Sequence, residues 1–497
     1  MTITIITFFL LFYVALAWWR LDWAFLLMLA SLPSYVVRFD FFVPVTLLEL
    51  MILICFFVWL LKDTNFIDFF KGKYKLKDFK ENRKRRKHYP FSFEIILLLL
   101  ISYTAAAVSG FTHESLGIWK AYFFEPILVY ILALNILKDK CGLRKSFWAL
   151  SISMLAVSLF GFYQKITGDF IPNGFWAAEE SRRITSFFGY PNAVGLYLGP
   201  LILVMIGFFG HIAKPLEYLD KKVRIKLLYL LIVISFSTLS LYFARSEGAI
   251  IAVTSGIVIY GLISGKWVRL ITVVLVFVTI TGAFFYQPVK IYAIEKLSLK
   301  DLSGEIRKQQ WRETWAMLKD GRMIMGSGLA NYQDEITSYH QEGIFFNYDK
   351  DPDFRRKIVL FDDSFKYKYW QPTEVYLYPH NIVLNFWVEL GILGAALFIW
   401  LILKFILKSL RLMHVIKTKA WINEEKPYAV NLIKGLIGAM TVIVVHGLVD
   451  VPYFKNDLSI VFWLLFALLG ILYIQFSTIQ QTLTKTEPEP KDNEIPD

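Results

Sequence analysis

The sequence predicts an all-α, polytopic membrane protein with about 12–13 transmembrane helices. Apolar residues make up 56% of its 497 residues, compared with about 45–50% in soluble domains, and the mean hydropathy is +0.50. The apolar residues come in blocks of about 16–22 residues with at most one charge each, and a block of that length can cross a bilayer. Clear examples are 194–209, 227–243, 268–286, 382–403 and 458–476.

Hydropathy places thirteen candidate spans along the chain. They lie near 3–19, 23–37, 42–61, 91–111, 122–137, 146–164, 192–212, 227–243, 248–263, 268–287, 381–403, 432–449 and 458–476. The second span is short and contains Pro33, so it is alternatively a half-helix, which would leave twelve spans. The segment Met1–Trp19 is apolar from its first residue and has no basic region before it, so we expect a retained span and no cleaved signal peptide.

The distribution of lysine and arginine gives the orientation. The stretch Lys62–Lys87 holds eleven basic residues against four acidic ones, so the loop 62–90 is predicted to be cytoplasmic. Counting spans from it places 112–121, 165–190, 244–247 and 450–457 on the extracytoplasmic side, together with one large loop, 288–379. The net charge of +12 therefore indicates cytoplasmic loops that face anionic lipid, and no nucleic-acid partner is expected.

The predicted organisation has four parts. Residues 1–287 hold spans 1–10, 288–379 form an extracytoplasmic loop or lid subdomain, and 380–476 hold the C-terminal spans. The remainder, 477–497, is rich in proline and acidic residues and is predicted to be a disordered cytoplasmic tail. Within the large loop, Ser303–Lys319 has its apolar residues near helical spacing, which predicts an amphipathic helix near the membrane interface.

Two ionisable residues stand where a bilayer makes charge costly, and such residues are functional candidates. Arg245 lies in a turn between two apolar stretches, and we expect this turn to be recessed below the outer surface; alternatively, Arg245 pairs with Glu247 or extends to the interface. His380 follows Pro379 at the start of a span. The positive end of the helix dipole there would keep the imidazole neutral and able to accept a proton. The alternative is a histidine that only forms hydrogen bonds.

Four stretches of the sequence carry a family resemblance. They are Arg183–Leu198 with Pro191-Asn192, Ala244–Ala249 with Arg245 and Gly248, Arg307–Tyr332 with Trp311 and Gly326-Ser-Gly328, and Pro379–Gly394 with His380-Asn381, Glu389 and Gly391. In this order they resemble the O-antigen ligase/O-antigen polymerase superfamily of bacterial envelope enzymes, over roughly residues 180–450. Ala244 stands where that family more often has serine, and Gly321-Arg322 replaces its usual proline.

The resemblance implies a GT-C-like helical fold and an enzyme of the bacterial inner membrane. Such an enzyme transfers a glycan from an undecaprenyl-pyrophosphate carrier to an acceptor hydroxyl at the outer face, with inversion and without a metal or other cofactor. It makes His380 the general base, and it assigns Arg245 and Arg307 to the charge that develops on the pyrophosphate. The remaining candidates are expected to bind substrate, namely Arg183, Asn192, Trp311, Asn381 and Glu247.

Several alternatives remain open at this stage. The acceptor can be a lipid, a growing glycan or a protein, and ligases and polymerases share these motifs. A flippase or transporter of lipid-linked oligosaccharide would share the multi-pass architecture, but it should place charges on both sides of the membrane midplane, whereas the candidates here lie at one face. A membrane scaffold would explain neither the recessed Arg245 nor the four stretches in order.

Overall fold

The computed structural model describes residues 2–41, 43–62, 89–213, 220–360, 363–418 and 426–486. The helices of the bundle and the two longest helices of the large loop are Thr2–Trp19, Leu21–Ala30, Leu47–Lys62, Ser92–Val108, His113–Ile118, Trp119–Phe124 (π-helical), Glu125–Ile136, Lys140–Thr167, Pro191–Ile212, Lys221–Phe243, Glu247–Leu262, Lys266–Phe285, Gln287–Leu297, Leu302–Met317, Ile382–Thr418, Lys426–His446 and Asn456–Thr486. Short helices and turns are Leu32–Val36, Gly174–Ala177, Glu179–Ser181, Leu318–Arg322, Tyr332–Ile336, Thr337–Tyr339, Phe354–Val359 and Asp363–Tyr369. The strands form two antiparallel hairpins, Arg38–Phe41 with Val43–Thr46 and Gly343–Phe345 with Trp370–Pro372.

The predicted all-α, multi-pass class is confirmed. Eight of the described helices are long and apolar enough to cross a membrane, and four shorter helices are also apolar. Each of the predicted spans overlaps a described helix. The second one is the ten-residue helix Leu21–Ala30, which reaches about 15 Å at 1.5 Å per residue and is followed by a turn that contains Pro33. This length fits the alternative in which the second predicted span is a half-helix.

Parts of two predicted segments lie outside the described residues. Residues 63–88, which make up nearly all of the basic loop 62–90, are not among the described residues. The same holds for 487–497 at the end of the predicted tail. The last helix, Asn456–Thr486, continues past residue 476. The described beginning of the predicted tail is therefore helical.

Close backbone contacts hold the centre of the bundle together. The helix Pro191–Ile212 packs on Lys426–His446, and Glu247–Leu262 packs on the same helix. A Cβ atom added at Gly207 would lie 2.8 Å from the Cα atom of Gly435, so glycine at both positions lets the backbones meet. Small residues at helix contacts are a main source of packing energy in membranes, where burial from water does not drive helices together.

The large loop is joined to the bundle at three glycines, Gly326, Gly328 and Gly391, which we call the glycine clamp. Their φ angles are 72°, 84° and 74°, in the left-handed region that glycine adopts without steric cost. A Cβ atom at Gly326 would lie 2.2 Å from the carbonyl oxygen of Val388, and one at Gly391 would lie 2.1 Å from that of Ile324. Only residues without a side chain allow this approach.

Hydrogen bonds complete the clamp. The backbone N–H of Ser327 donates to the carbonyl of Val388 at 2.7 Å, and the N–H of Ala330 donates to Oε2 of Glu389 at 2.9 Å. The Gly326-Ser-Gly328 stretch and the Glu389–Gly391 stretch therefore contact each other. Two of the stretches quoted for the family resemblance hold the loop on the bundle here.

The helix predicted at Ser303–Lys319 is present as Leu302–Met317, but its buried face is mainly polar. Gln309 donates to Glu313 at 2.9 Å, and the hydroxyl groups of Thr314 and Tyr332 lie 2.8 Å apart. The predicted position of this helix near the membrane interface stays a prediction. The side chains of the buried face pack inside the loop because their polar groups find partners there.

Candidate functional site

Four segments meet at one end of the bundle, which we call the outer end: 180–192, 244–247, 376–381 and 447–455. The N–H of Ile382 donates to the carbonyl of Gly447 at 2.8 Å, which joins the third segment to the fourth. The guanidinium of Arg183 donates through Nε to the carbonyl of Ala244 at 3.0 Å, which joins the first to the second. Segments that the span count predicts to be extracytoplasmic are thus neighbours in space.

His380 lies beside a buried carboxylate. Its Nδ1 atom is 3.7 Å from Oδ1 of Asp450, whose side chain is 2% exposed; this is an ion-pair distance, too long for a hydrogen bond. The N–H of Val451 donates to the same carboxylate at 2.8 Å. Burial raises the pKa of Asp450, but the imidazoles of His380 and His446 and the Val451 N–H outweigh it and lower the pKa to about 2. Asp450 therefore stays ionised next to the histidine.

The position of His380 corrects one prediction. His380 was expected in the first helical turn together with Pro379, whereas the helix begins at Ile382. The side chain of Asn381 accepts a hydrogen bond from the N–H of Leu384 at 3.0 Å, and asparagine is among the best helix N-caps, so the helix starts just after it. His380 precedes the cap with a φ of 46°, a conformation that few non-glycine residues adopt.

Aromatic side chains surround the His380 ring. The rings of Tyr376 and Tyr378 meet it edge-on, with centroids 5.2 Å and 5.0 Å away. Trp311, predicted to bind substrate, donates from Nε1 to the carbonyl of Pro379 at 2.8 Å and so fixes the residue before the histidine. Nε2 of His380 forms no hydrogen bond in the part of the chain that the structure describes. Nδ1 also forms no hydrogen bond among the described residues, so the neighbouring rings and the fixed Pro379 carbonyl hold the imidazole in place.

Asn192 connects the carboxylate to a cation. Its Nδ2 donates to Oδ2 of Asp450 at 3.4 Å, and its Oδ1 accepts from Nη2 of Arg183 at 3.4 Å. Nη2 of Arg183 also reaches the carbonyl oxygen of Arg245 at 3.5 Å. Two predicted substrate-binding residues, Arg183 and Asn192, therefore belong to the same network as the histidine and the arginine turn.

Three guanidinium groups at or near the outer end have no carboxylate partner among the described residues. Arg245 is exposed, has a φ of 50°, and donates to the backbone carbonyl of Glu180 at 3.4 Å. Nη1 of Arg307 donates to the Ser303 hydroxyl at 3.4 Å, while its buried Nε has no partner in the described part of the chain. Burial, and then the positive charge of Arg245, lower the pKa of Arg183. Positive charges gathered without acids favour an anionic ligand.

Glu247 and Asn381, both predicted to bind substrate, are engaged with the protein itself. Glu247 accepts from the hydroxyl of Tyr292 at 2.9 Å and pairs with Nζ of Lys296 at 2.5 Å. The alternative in which Glu247 pairs with Arg245 is therefore wrong. Both polar groups of Asn381 bond backbone atoms. Among the described residues, no group of three or more His, Cys, Asp or Glu side chains is placed to hold a metal ion.

Two residues at the outer end, Asp450 and His446, were not among the sequence candidates. The side chain of His446 is buried, and its Nδ1 has no hydrogen-bond partner among the described residues. A Cβ atom at Gly248 would lie 3.2 Å from its ring, so glycine at that position makes room for the imidazole. Both residues lie at the extracytoplasmic end of a predicted span, and the membrane-depth argument that selected His380 would have found them as well.

The motifs and the outer-end geometry can be compared with known families. Residues 230–399 match the family model described as O-Antigen ligase. The resemblance to the O-antigen ligase/polymerase superfamily is confirmed. The matched segment holds Arg245, Arg307 and His380, whereas Asp450 lies beyond it. The family match and the membrane helices together support a multi-pass, ligase/polymerase-like membrane enzyme. A comparison with curated proteins found no significant match.

Proposed function

We propose that this O-antigen ligase family member is an inverting, metal-independent glycosyltransferase at the outer face of the bacterial inner membrane. It transfers a glycan from undecaprenyl pyrophosphate to the hydroxyl group of a lipid, glycan or protein acceptor. One observation carries the proposal: His380 lies 3.7 Å from the buried Asp450 carboxylate, at the end of the bundle where arginines lack acidic partners. A base and an anion site therefore lie together.

His380 acts as the general base. The carboxylate of Asp450 favours the tautomer with a proton on Nδ1 and stabilises the imidazolium that forms when Nε2 takes the acceptor's hydroxyl proton. The acceptor oxygen then forms a bond to the anomeric carbon on the face opposite the pyrophosphate, so the configuration inverts. General-base catalysis of this kind typically contributes about 10²–10⁴-fold to a rate.

Arginines stabilise the leaving group. The bond between the anomeric carbon and the phosphate oxygen breaks with its electron pair on oxygen, so negative charge grows on the pyrophosphate. The guanidinium groups of Arg245 and Arg307 bind phosphate oxygens in a bidentate manner, and Arg183 adds positive charge behind Arg245. The buried Nε of Arg307, which has no partner in the described residues, supports this role because buried donors normally have acceptors.

Reconstitution tests the proposal. The purified protein is placed in lipid vesicles with the lipid-linked glycan of its source strain, an acceptor fraction and excess EDTA. We expect glycosylated acceptor and free undecaprenyl pyrophosphate to accumulate. Activity that disappears in EDTA and returns with Mg²⁺ would contradict the metal-independent mechanism. Movement of the lipid-linked glycan across the bilayer with no transfer would favour the flippase alternative.

A further inference from the structure

An open groove of about 540 Å³ lies on the large loop, separate from the residues around His380. It is lined by Gln341, Glu342, Gly343, Ile344, Phe345 and Trp370. Its floor is the antiparallel hairpin Gly343–Phe345 with Trp370–Pro372, in which Phe345 is opposite Trp370. None of these residues takes part in the proposed transfer step.

Trp370 forms a fixed aromatic surface in this groove. A Cβ atom at Gly343 would lie 2.5 Å from Cζ2 of the Trp370 ring, so the indole rests directly on the opposite strand. The Phe345 ring meets it edge-on, with centroids 4.9 Å apart and planes at 66°. The residue nevertheless remains 40% exposed. The indole is thus held from below and from one edge, while the rest of it faces outward.

Hydrogen-bonding groups without protein partners border the indole. Gln341 and Glu342 are exposed, and neither side chain forms a hydrogen bond or an ion pair in the described residues. A pyranose ring offers a face of C–H groups to the negative face of an aromatic ring and a rim of hydroxyls to amide and carboxylate groups. We infer that the groove is a saccharide subsite. The charge of Glu342 selects neutral or amino-bearing sugars over acidic ones.

One helix links this subsite to the candidate active site. Glu313, on Leu302–Met317, accepts from the N–H of Gln341 at 3.0 Å, while Trp311 on the same helix donates to the carbonyl of Pro379, next to His380. Residues two apart lie on nearly opposite sides of a helix, which is about 10–12 Å in diameter. The subsite therefore holds sugar units some distance from the reacting unit. The binding of a saccharide is argued from the groove itself. Whether this saccharide belongs to the donor or to the acceptor is a question that rests on the proposed function.

Binding and kinetics of Trp370→Ala test the inference. The probe is the free oligosaccharide released by mild acid from the lipid-linked glycan of the source strain, titrated into the full-length protein in detergent. We expect about three- to tenfold weaker binding, the value of one aromatic contact, with near-normal binding in Trp370→Phe. In transfer assays KM should rise for only one substrate, the donor or the acceptor, at unchanged kcat, and this substrate identifies the source of the bound glycan. Trp267→Ala, at another exposed tryptophan, serves as the control and should bind normally.

The outcomes separate the subsite from the transfer reaction. Equal binding of the oligosaccharide by Trp370→Ala and the unaltered protein would overturn the subsite, whatever the transfer activity. Binding that depends on Trp370 in a protein without transfer activity would support the subsite and contradict the proposed function. Glu342→Gln provides a second variant that leaves the hairpin intact. This variant should bind acidic oligosaccharides that the unaltered protein excludes. If it still excluded them, the inferred preference for neutral or amino-bearing sugars would be overturned.

Discussion

The stretch Pro379–Gly394 contributes to two regions, the outer end around His380 and the glycine clamp around Gly391, which differ in how far their polar groups are satisfied. At its start, His380 lies at the outer end, and its Nε2 has no hydrogen-bond partner among the residues that the structure describes. Further along, Glu389 accepts a bond from Ala330 at 2.9 Å, and Gly391 fits against the loop backbone with no space for a side chain. Membership in one motif therefore does not imply one role. Polar groups that remain unsatisfied are available to a ligand, whereas satisfied groups build the protein.

The backbone shows the same difference. The three residues of the glycine clamp adopt positive φ angles without steric cost, and only the adjoining Ala330 does so as a non-glycine residue of that stretch. At the outer end, His380 and Arg245 adopt φ angles of 46° and 50°, which cost non-glycine residues about 1–3 kcal/mol each. The bundle and its hydrogen bonds hold both side chains in these conformations, as is common at functional sites.

The largest expected effect is that of His380→Ala. Removal of the base should lower the rate of glycan transfer by about 10²–10⁴-fold, while the protein stays folded, because Asp450 keeps its hydrogen bonds from Val451 and Asn192. His113→Ala, at an exposed histidine of another predicted outer loop, should leave the rate unchanged. If His380→Ala instead lowered stability with little loss of rate, His380 would belong with the clamp.

Arg245→Lys and Arg307→Lys should follow, with losses of about 10²–10³-fold in kcat, the cost of removing one preorganised charge-stabilising donor. Lysine keeps the charge but lacks the planar fork that binds two phosphate oxygens. The matched control is Arg312→Lys, which lies on an exposed part of the same helix as Arg307. Full activity of either test variant, measured with saturating acceptor, would assign the leaving-group charge to other residues.

Asp450→Asn should reduce transfer by at least about tenfold, because the imidazolium loses a nearby opposite charge, and close charge pairs are worth about 1.5 kcal/mol or more. A lowered pKa means that the Asp450 carboxylate stabilises the folded protein above its ordinary pKa, and that this contribution is lost as pH falls towards about 2. An acid limb of the pH–rate profile near neutrality therefore cannot belong to Asp450.

The pH–rate profile of Asp450→Asn checks whether an acid limb near neutrality belongs to a group other than Asp450. A limb near neutrality should persist in the variant at a lower overall rate, and its disappearance would contradict the assignment. Asp169→Asn, at an exposed carboxylate of another predicted outer loop, should reproduce the unaltered profile.

The smallest effect on the transfer step itself is expected from Gly391→Ala. An alanine would be strained at a φ of 74° and would meet the Ile324 carbonyl, so we expect a loss of at least about 1–3 kcal/mol in stability, with a normal rate per folded molecule. Gly282→Ala is the matched control: no atom lies within 4 Å of its added Cβ, and alanine favours a helix over glycine. A rate loss without destabilisation would make the clamp part of catalysis.

The sequence by itself determined the membrane class and most of the spans. Long apolar runs have few alternatives to a membrane helix, because a bilayer requires every backbone group to be bonded within the segment. The same cost of polar groups in lipid singled out Arg245 and His380. The family resemblance added Arg307, Arg183 and Asn192, which had little signal of their own.

Only the tertiary structure decided which motif residues serve the site and which serve the fold. The partner of His380 is Asp450, on a loop that follows a different helix, and local periodicity carries no information about such distant pairs. The helix starts after His380 because Asn381 is its N-cap. Glu247 pairs with Lys296, although Arg245 is closer to it in the sequence. A side chain's role depends on which groups satisfy its charge and hydrogen bonds, and these groups come together only when the helices pack.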